Sequence, residues 1–455
     1  MTISKPVRQT RTRTPSRSAV VDRVGTLAKP AVRWGVQHGL TKLALRAGAL
    51  RGDLQSRLFH EAATSPNLAL GGLFDEIRAA GPLYRGGFAY LTTHHAVVRE
   101  VLTSNDFRAG ITPGTGMLAR LNQWAAVEVM SPMAPPSLLV TEPPDHTRLR
   151  KLVTRVFTVR AVEGLRARTE QIANELLDQL DPSDPVDLVD TYCGVLPVTV
   201  IAEILGVPED QRPRMHALAN AAAPSLEMGL GWRQFQDVNN ALAGFDNWLT
   251  GHLDNVRAEP GDNLLSQLVA AREDGVGLTD LELRATAGLV LGAGFETTVN
   301  LLGNGIALLH DNPSQLEVLR DDPSVWPNAV DEILRMDPPV MLTGRTCARD
   351  TEVAGVRVPR GAVATLILAG ANRDPEVFDN PALFDVRRAN AREHISFSAG
   401  RHYCLGAALA RMEGEVGLRT LFERFPGLRL SGGAVHRSSR ILRGYRHLPG
   451  VLRPA

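Results

Sequence analysis

The chain has 455 residues, a net charge of +1 and three cysteines. That balance gives no reason to expect nucleic acid as a partner, and three cysteines do not make a disulfide framework. No uninterrupted apolar stretch approaches the ~20 residues that cross a bilayer. The longest runs from Ala285 to Phe295 and ends at Glu296, so the chain is expected to be soluble and cytoplasmic, without a transmembrane anchor.

Residues 1–52 form a basic extension, with cations from Lys5 to Arg51 against a single acid, Asp22. Thr, Ser and Pro dominate its first part, which is expected to be disordered. From Val32 to Leu50 the pattern suits a basic amphipathic helix with Trp34, Leu43 and Leu45 among its apolar residues. Such a helix either meets an anionic membrane surface or packs on the body, and packing is the preferred reading. The remainder, 53–455, opens with a helix containing Leu54, Leu58 and Phe59. Leu83-Tyr84 and Tyr90-Leu91-Thr92 flank Arg85-Gly86-Gly87 as a hairpin would.

Phe107 to Glu142 reads as a long loop, with Gly114, Gly116, Pro132, Pro135 and Pro136. Loops of that length are usually lids or binding loops. Helical periodicity then prevails to about residue 311. A central helix begins at Thr279 and Glu282, a capping box, and stops at Asn312-Pro313. Its ~30 residues span roughly 45 Å at 1.5 Å each. Glu332 to Arg335 lies on another helix, and the two side chains share one face. Strands are expected at Val356 to Val358 and Ala362 to Leu368, followed by an irregular segment from Asp374 to Asn390.

That segment leads to Phe397-Ser398-Ala399-Gly400-Arg401-His402-Tyr403-Cys404-Leu405-Gly406, the most informative stretch of the chain. Gly400 permits a tight turn, since glycine takes a positive φ freely. Gly406 lets a flat macrocycle come close to the backbone. Phe397 shields the sulfur from water, which helps set a metal's potential. Arg401 and His402 suit haem propionates, and Cys404 would bind iron as thiolate. The alternative is an inert cysteine at the start of a core helix.

The stretch resembles the haem-binding signature of the cytochrome P-450 monooxygenases, Phe-x-x-Gly-x-x-x-Cys-x-Gly, at every fixed position. Ala293-Gly294-Phe295-Glu296-Thr297-Thr298 is similar to that family's oxygen-activation motif, and Glu332-Ile333-Leu334-Arg335 to its Glu-x-x-Arg motif. Pro143 to Arg150 resembles the propionate-binding helix of the soluble bacterial branch, with Glu142 where Asp is commoner. The resemblance covers roughly 53–455. It implies a mainly α fold with a small β region (α+β): a single triangular helical domain, with haem b (iron protoporphyrin IX) between the central helix and the cysteine-loop helix.

By resemblance, Cys404 is the axial ligand, flanked by Phe397, Gly400 and Gly406. His146, Arg150, Arg345 and His402 would meet the propionates. Ala293 and Gly294 would leave room for dioxygen and a backbone kink there room for water, Thr297 would hydrogen-bond the oxygen, and Glu296 would relay protons from solvent. Glu332 and Arg335 would be buried and bond Arg388, a structural role. A ferredoxin and a ferredoxin reductase are the implied electron donors, docking where Arg401, Arg411, Lys151 and Arg155 gather or else form a solvated face. The implied reaction inserts one oxygen atom into a bulky apolar small molecule. The alternatives are a peroxide-driven peroxygenase and a non-catalytic haem or lipid carrier. Expected pocket walls are Met117, Leu118, Leu121, Trp124 and Met130, with Leu226, Met228, Leu289 and Val340-Met341-Leu342-Thr343.

Overall fold

The computed structural model describes residues 28–64, 70–110, 117–126, 131–155, 157–182, 184–273 and 275–453. The first part of the basic extension, Gly114, Gly116 and Met130 lie outside the described residues, as does the side chain of Leu118.

Helices dominate, and eight of them frame the site: α1 (Leu40–Leu50), α2 (Met117–Trp124), α3 (Asp145–Thr154), α4 (Val195–Ile204), α5 (Trp232–Ala258), α6 (Asp280–Asp311), α7 (Trp326–Met336) and α8 (Ala407–Arg424). α2 corrects the sequence expectation, because a turn of helix interrupts what reads as one long loop. Its few apolar residues are too short a run to stand out against the surrounding Gly and Pro.

α6 starts as expected. The Thr279 hydroxyl accepts from Glu282 N at 3.3 Å, and the Glu282 carboxylate accepts from Thr279 N at 2.9 Å. Leu291, Phe295, Leu302 and Ile306 bury its faces in the main core with α4 and α8, the pattern of a helix enclosed on most sides. α8 lies close against it because both helices are notched with glycine. A Cβ on Gly414 would sit 2.9 Å from Leu301, and one on Gly417 2.8 Å from Leu302.

A five-stranded sheet stands to one side, built from β1 (Tyr84–Arg85), β2 (Tyr90–Thr92), β3 (Phe107–Ala109), β4 (Thr343–Cys347) and β5 (Val363–Leu366). Its order is β1-β2-β5-β4-β3. β1 and β2 form the expected hairpin, and β2 runs parallel to β5. The strand expected to reach Leu368 ends at Leu366, and Leu368 begins a short helical turn. In β4, Arg345 pairs with Ala364 on one side and Ala109 on the other, which fixes its height in the sheet. A hairpin of Val435–His436 with Tyr445–His447 closes over α6 near the C-terminus.

Candidate functional site

The cysteine loop is held from outside itself. Gly400 has φ +68°, and a Cβ there would meet the Leu102 carbonyl oxygen at 2.7 Å, so only glycine fits. Arg401 donates to the Ser104 and Phe107 carbonyls, both at 2.8 Å. Inside the loop, Cys404 N donates to Phe397 O at 2.9 Å. Arg411, one turn into α8, lies 4.6 Å over the Phe397 ring.

Cys193 and Cys347 are buried, whereas Cys404 is exposed. Burial nevertheless pushes the Cys404 thiol up, opposed by the Gly406 N–H and the charges of Arg150 and Arg411. The sulfur therefore opens onto a space enclosed by protein. A Cβ on Gly406 would touch nothing within 4 Å. Ala293, in the middle of the largely buried α6, is likewise exposed.

Behind the loop, Arg335 and Glu332 of α7 form a two-point pair at 2.6 and 2.8 Å, both fully buried. Arg335 also donates to the Asn372, Pro381 and Leu383 carbonyls. Arg388 joins Glu332 at 3.2 Å, as the resemblance implies. A second buried acid, Asp331, escaped the sequence reading. It binds Arg411 at 2.7 Å, with His394 and Arg392 both at 3.1 Å. The signal available was an acid beside Glu332 in an otherwise apolar helix; its partners lie too far along the chain to be paired by spacing.

Three of the four residues expected at the propionates, His146, Arg345 and His402, come together around Glu142, and Arg150 lies within electrostatic reach of His146 and Cys404. The His146 and His402 rings lie 4.5 Å apart, and His402 Nε2 is 3.3 Å from a Glu142 oxygen. Glu142 also accepts from Ala109 N at 2.6 Å and pairs with Arg401 at 3.4 Å. Arg345 donates to the Ser398 hydroxyl at 3.4 Å. Burial, then the neighbouring His146 and Arg345, push His402 down to about 4. Burial lowers Arg345 to about 10, and it lowers His146 and Arg150 too. His146 Nε2 is buried with no hydrogen-bond partner in the protein. Basic groups short of one anion, beside an unpartnered imidazole nitrogen, fit the propionates of a haem.

On α6 the Thr297 hydroxyl donates to Ala293 O at 2.9 Å and that of Thr298 to Gly294 O at 3.0 Å. The helix is continuous from Asp280 to Asp311. Glu296 is 3% exposed. One of its oxygens meets Arg437 of the C-terminal hairpin at 3.2 Å, and the other has no partner. Burial pushes this carboxyl up and Arg437 pulls it down. Nothing in the sequence marked Arg437.

Two further expectations change. Arg401 and Arg411 are engaged inside the protein, so the expected docking patch shrinks to Lys151 and Arg155, which stay exposed although both pair with Glu273. Met341 and Leu342 are core residues, 2% and 5% exposed. Met117, Leu121 and Trp124 face outward, at 76%, 37% and 49%.

A model of the cytochrome P450 family matches residues 324–438. The chain is 50% identical to the "Putative cytochrome P450 140" of Mycobacterium tuberculosis over 434 residues, 94% of this chain and 98% of that protein. It is 43% identical to the 6-deoxyerythronolide B hydroxylase of Saccharopolyspora erythraea over 313 residues, 68% of this chain and 76% of the other. Among solved structures, ligand-free Mycobacterium smegmatis CYP164A2 superposes with TM-score 0.78 at 34% identity, covering 88% of this chain and 99% of its own.

Proposed function

The chain belongs to the cytochrome P450 family of monooxygenases, and from that premise we propose that it inserts one atom of O2 into a bulky apolar small molecule, drawing electrons from a separate ferredoxin and ferredoxin reductase. The observation that carries the reading is the exposed Cys404 opening onto an enclosed space, beside a buried set of basic groups that includes an unpartnered His146 nitrogen.

The family implies a haem, taken here as haem b, and when bound it supplies the iron at which dioxygen is activated. Cys404 would hold that iron as thiolate, with Phe397 shielding the sulfur and Gly406 leaving the macrocycle room. His146, Arg150, Arg345 and His402 would take the propionates. That contact would lift the cost of their burial, because each basic group gains the counter-charge it lacks.

The protein's own contribution to the chemistry is proton handling. Ala293 and Gly294 keep the wall of α6 low at the reaction space. The Thr297 hydroxyl, parked on Ala293 O, can turn to offer its proton there. A carboxyl whose proton affinity is raised toward the working pH exchanges protons more effectively than a surface carboxylate. Glu296 meets that condition, and half-exposed Arg437 links it to the protein surface.

A bulky, apolar substrate is favoured by a relative named for hydroxylating 6-deoxyerythronolide B. An acidic ferredoxin is favoured by exposed Lys151 and Arg155 on the cysteine side. The test is an optical titration of the ferric protein against macrolides, steroids, terpenes and fatty acids. A low-spin to high-spin shift with one bulky apolar class, followed by ferredoxin-dependent turnover of it, is the expected result. Turnover only with peroxide, or a shift only with small polar ligands, would overturn the proposal.

A further inference from the structure

The amphipathic helix near the N-terminus has two apolar faces rather than one. Its inner side packs on the body through Leu45, 5% exposed, while Trp34 and His38 anchor the turns before it. Its outer side carries Leu40, Leu43 and Leu50 at 51%, 67% and 84% exposure. At about 100° per residue these three fall within an arc of about 80° on α1. Lys42 and Arg46, both exposed, border one side of that stripe.

α2 extends the same surface with Met117, Leu121 and Trp124. The two segments are tied together, since Gln37 donates to Asn122 at 2.8 Å and the Lys29 ammonium lies 5.7 Å from the Trp124 ring centroid. Large apolar side chains on two helices joined through the residues just ahead of α1 go beyond the scattered exposure usual on a protein surface. Neither helix contains an acid, whereas Lys42, Arg46 and Arg120 lie on them and Arg51 follows directly.

We infer that this surface docks on an anionic lipid bilayer, α1 and α2 lying in the plane of the headgroups. The leucines, Met117 and Trp124 would enter the acyl boundary, and the basic side chains would meet lipid phosphates. The charge is of one sign across the patch, so its complement is a broad negative surface.

The experiment is co-sedimentation of the full-length haem-loaded protein with phosphatidylcholine vesicles, with and without phosphatidylglycerol. Binding to the anionic vesicles is expected, weakening as salt is added. The double variant Leu43→Asp/Leu50→Asp should bind at least ~10-fold less, and Lys42→Glu/Arg46→Glu should lose the preference for anionic lipid. Should the first pair unfold the protein, judged by its ferrous carbon-monoxide spectrum and thermal midpoint, Trp124→Ser on α2 makes the same test. Binding that ignores the apolar substitutions would overturn the inference, since the basic stretch ahead of residue 28 would then carry it. So would an absence of binding, or equal binding to neutral vesicles, or variants that change only the mass in solution, which would mark the patch as a protein interface.

Discussion

Arg437 reaches from the C-terminal hairpin to within 3.2 Å of the Glu296 carboxylate at the middle of α6. The pair is unequal. Glu296 is nearly sealed, while the arginine is half-exposed. Burial therefore governs the acid and raises its proton affinity, with Arg437 as the opposing charge.

Replacing Arg437 with Met removes the one charge that lowers the Glu296 pKa. The ionised form becomes less favourable, so the carboxyl keeps its proton to higher pH. The limb of the turnover profile that needs ionised Glu296 should move alkaline, as should the carboxylic-acid carbonyl stretch assigned by difference against Glu296→Gln. Glu296→Gln itself should lower product formation ~10²-fold or more. An unmoved limb in the Arg437 variant would separate the two residues.

Cys404→His should retain the fold but lose the red-shifted carbon-monoxide band of a thiolate-ligated haem. Survival of that band would refute Cys404 as the iron ligand. The loop itself is braced by Gly400 and Arg401, so a change at the sulfur alone should leave the thermal midpoint within a few degrees.

Glu413 is fully buried on α8, and burial lifts its pKa from the ordinary 4.5 to about 8. Between those values the folded protein keeps a proton that the unfolded chain has released. Its contribution is complete below pH 4.5 and is lost as pH rises to about 8. At 1.36 kcal/mol per pH unit this amounts to roughly 5 kcal/mol. Glu413→Gln should therefore flatten the decline in stability between pH 5 and pH 8 in urea titrations. Parallel curves for the two proteins would show that Glu413 ionises freely.

Arg335→Ala leaves Glu332 charged in the core and three carbonyl acceptors without their donor. Breaking a buried pair in this way costs about 3–5 kcal/mol. Urea unfolding should show that loss, and haem should dissociate sooner, because Arg335 ties α7 to the segment leading into the cysteine loop. Wild-type haem retention would remove that coupling.

What the sequence disclosed was local. Gly400, Cys404 and Gly406 lie within one turn of chain, and Glu332 and Arg335 within one turn of helix, so spacing alone relates them. The capping box at Thr279 and Glu282 is of the same kind. His146, Arg150, Arg345 and His402 were gathered only by family resemblance, since three separate segments supply them. Glu142 looked like a neutral exchange of one acid for another. Its longer side chain in fact joins β3 to the cysteine loop through Ala109 and His402. The partners of Asp331 and Arg437 are distant in sequence, and no periodicity encodes that distance.

The glycine notches between α6 and α8 have a bearing on how such a chain can diversify. Leu301 and Leu302 fill the spaces above Gly414 and Gly417, so these two helices are locked together at a separation that no larger residue tolerates. A larger residue at either glycine must first displace that leucine, so variation at these two positions is felt by both helices at once.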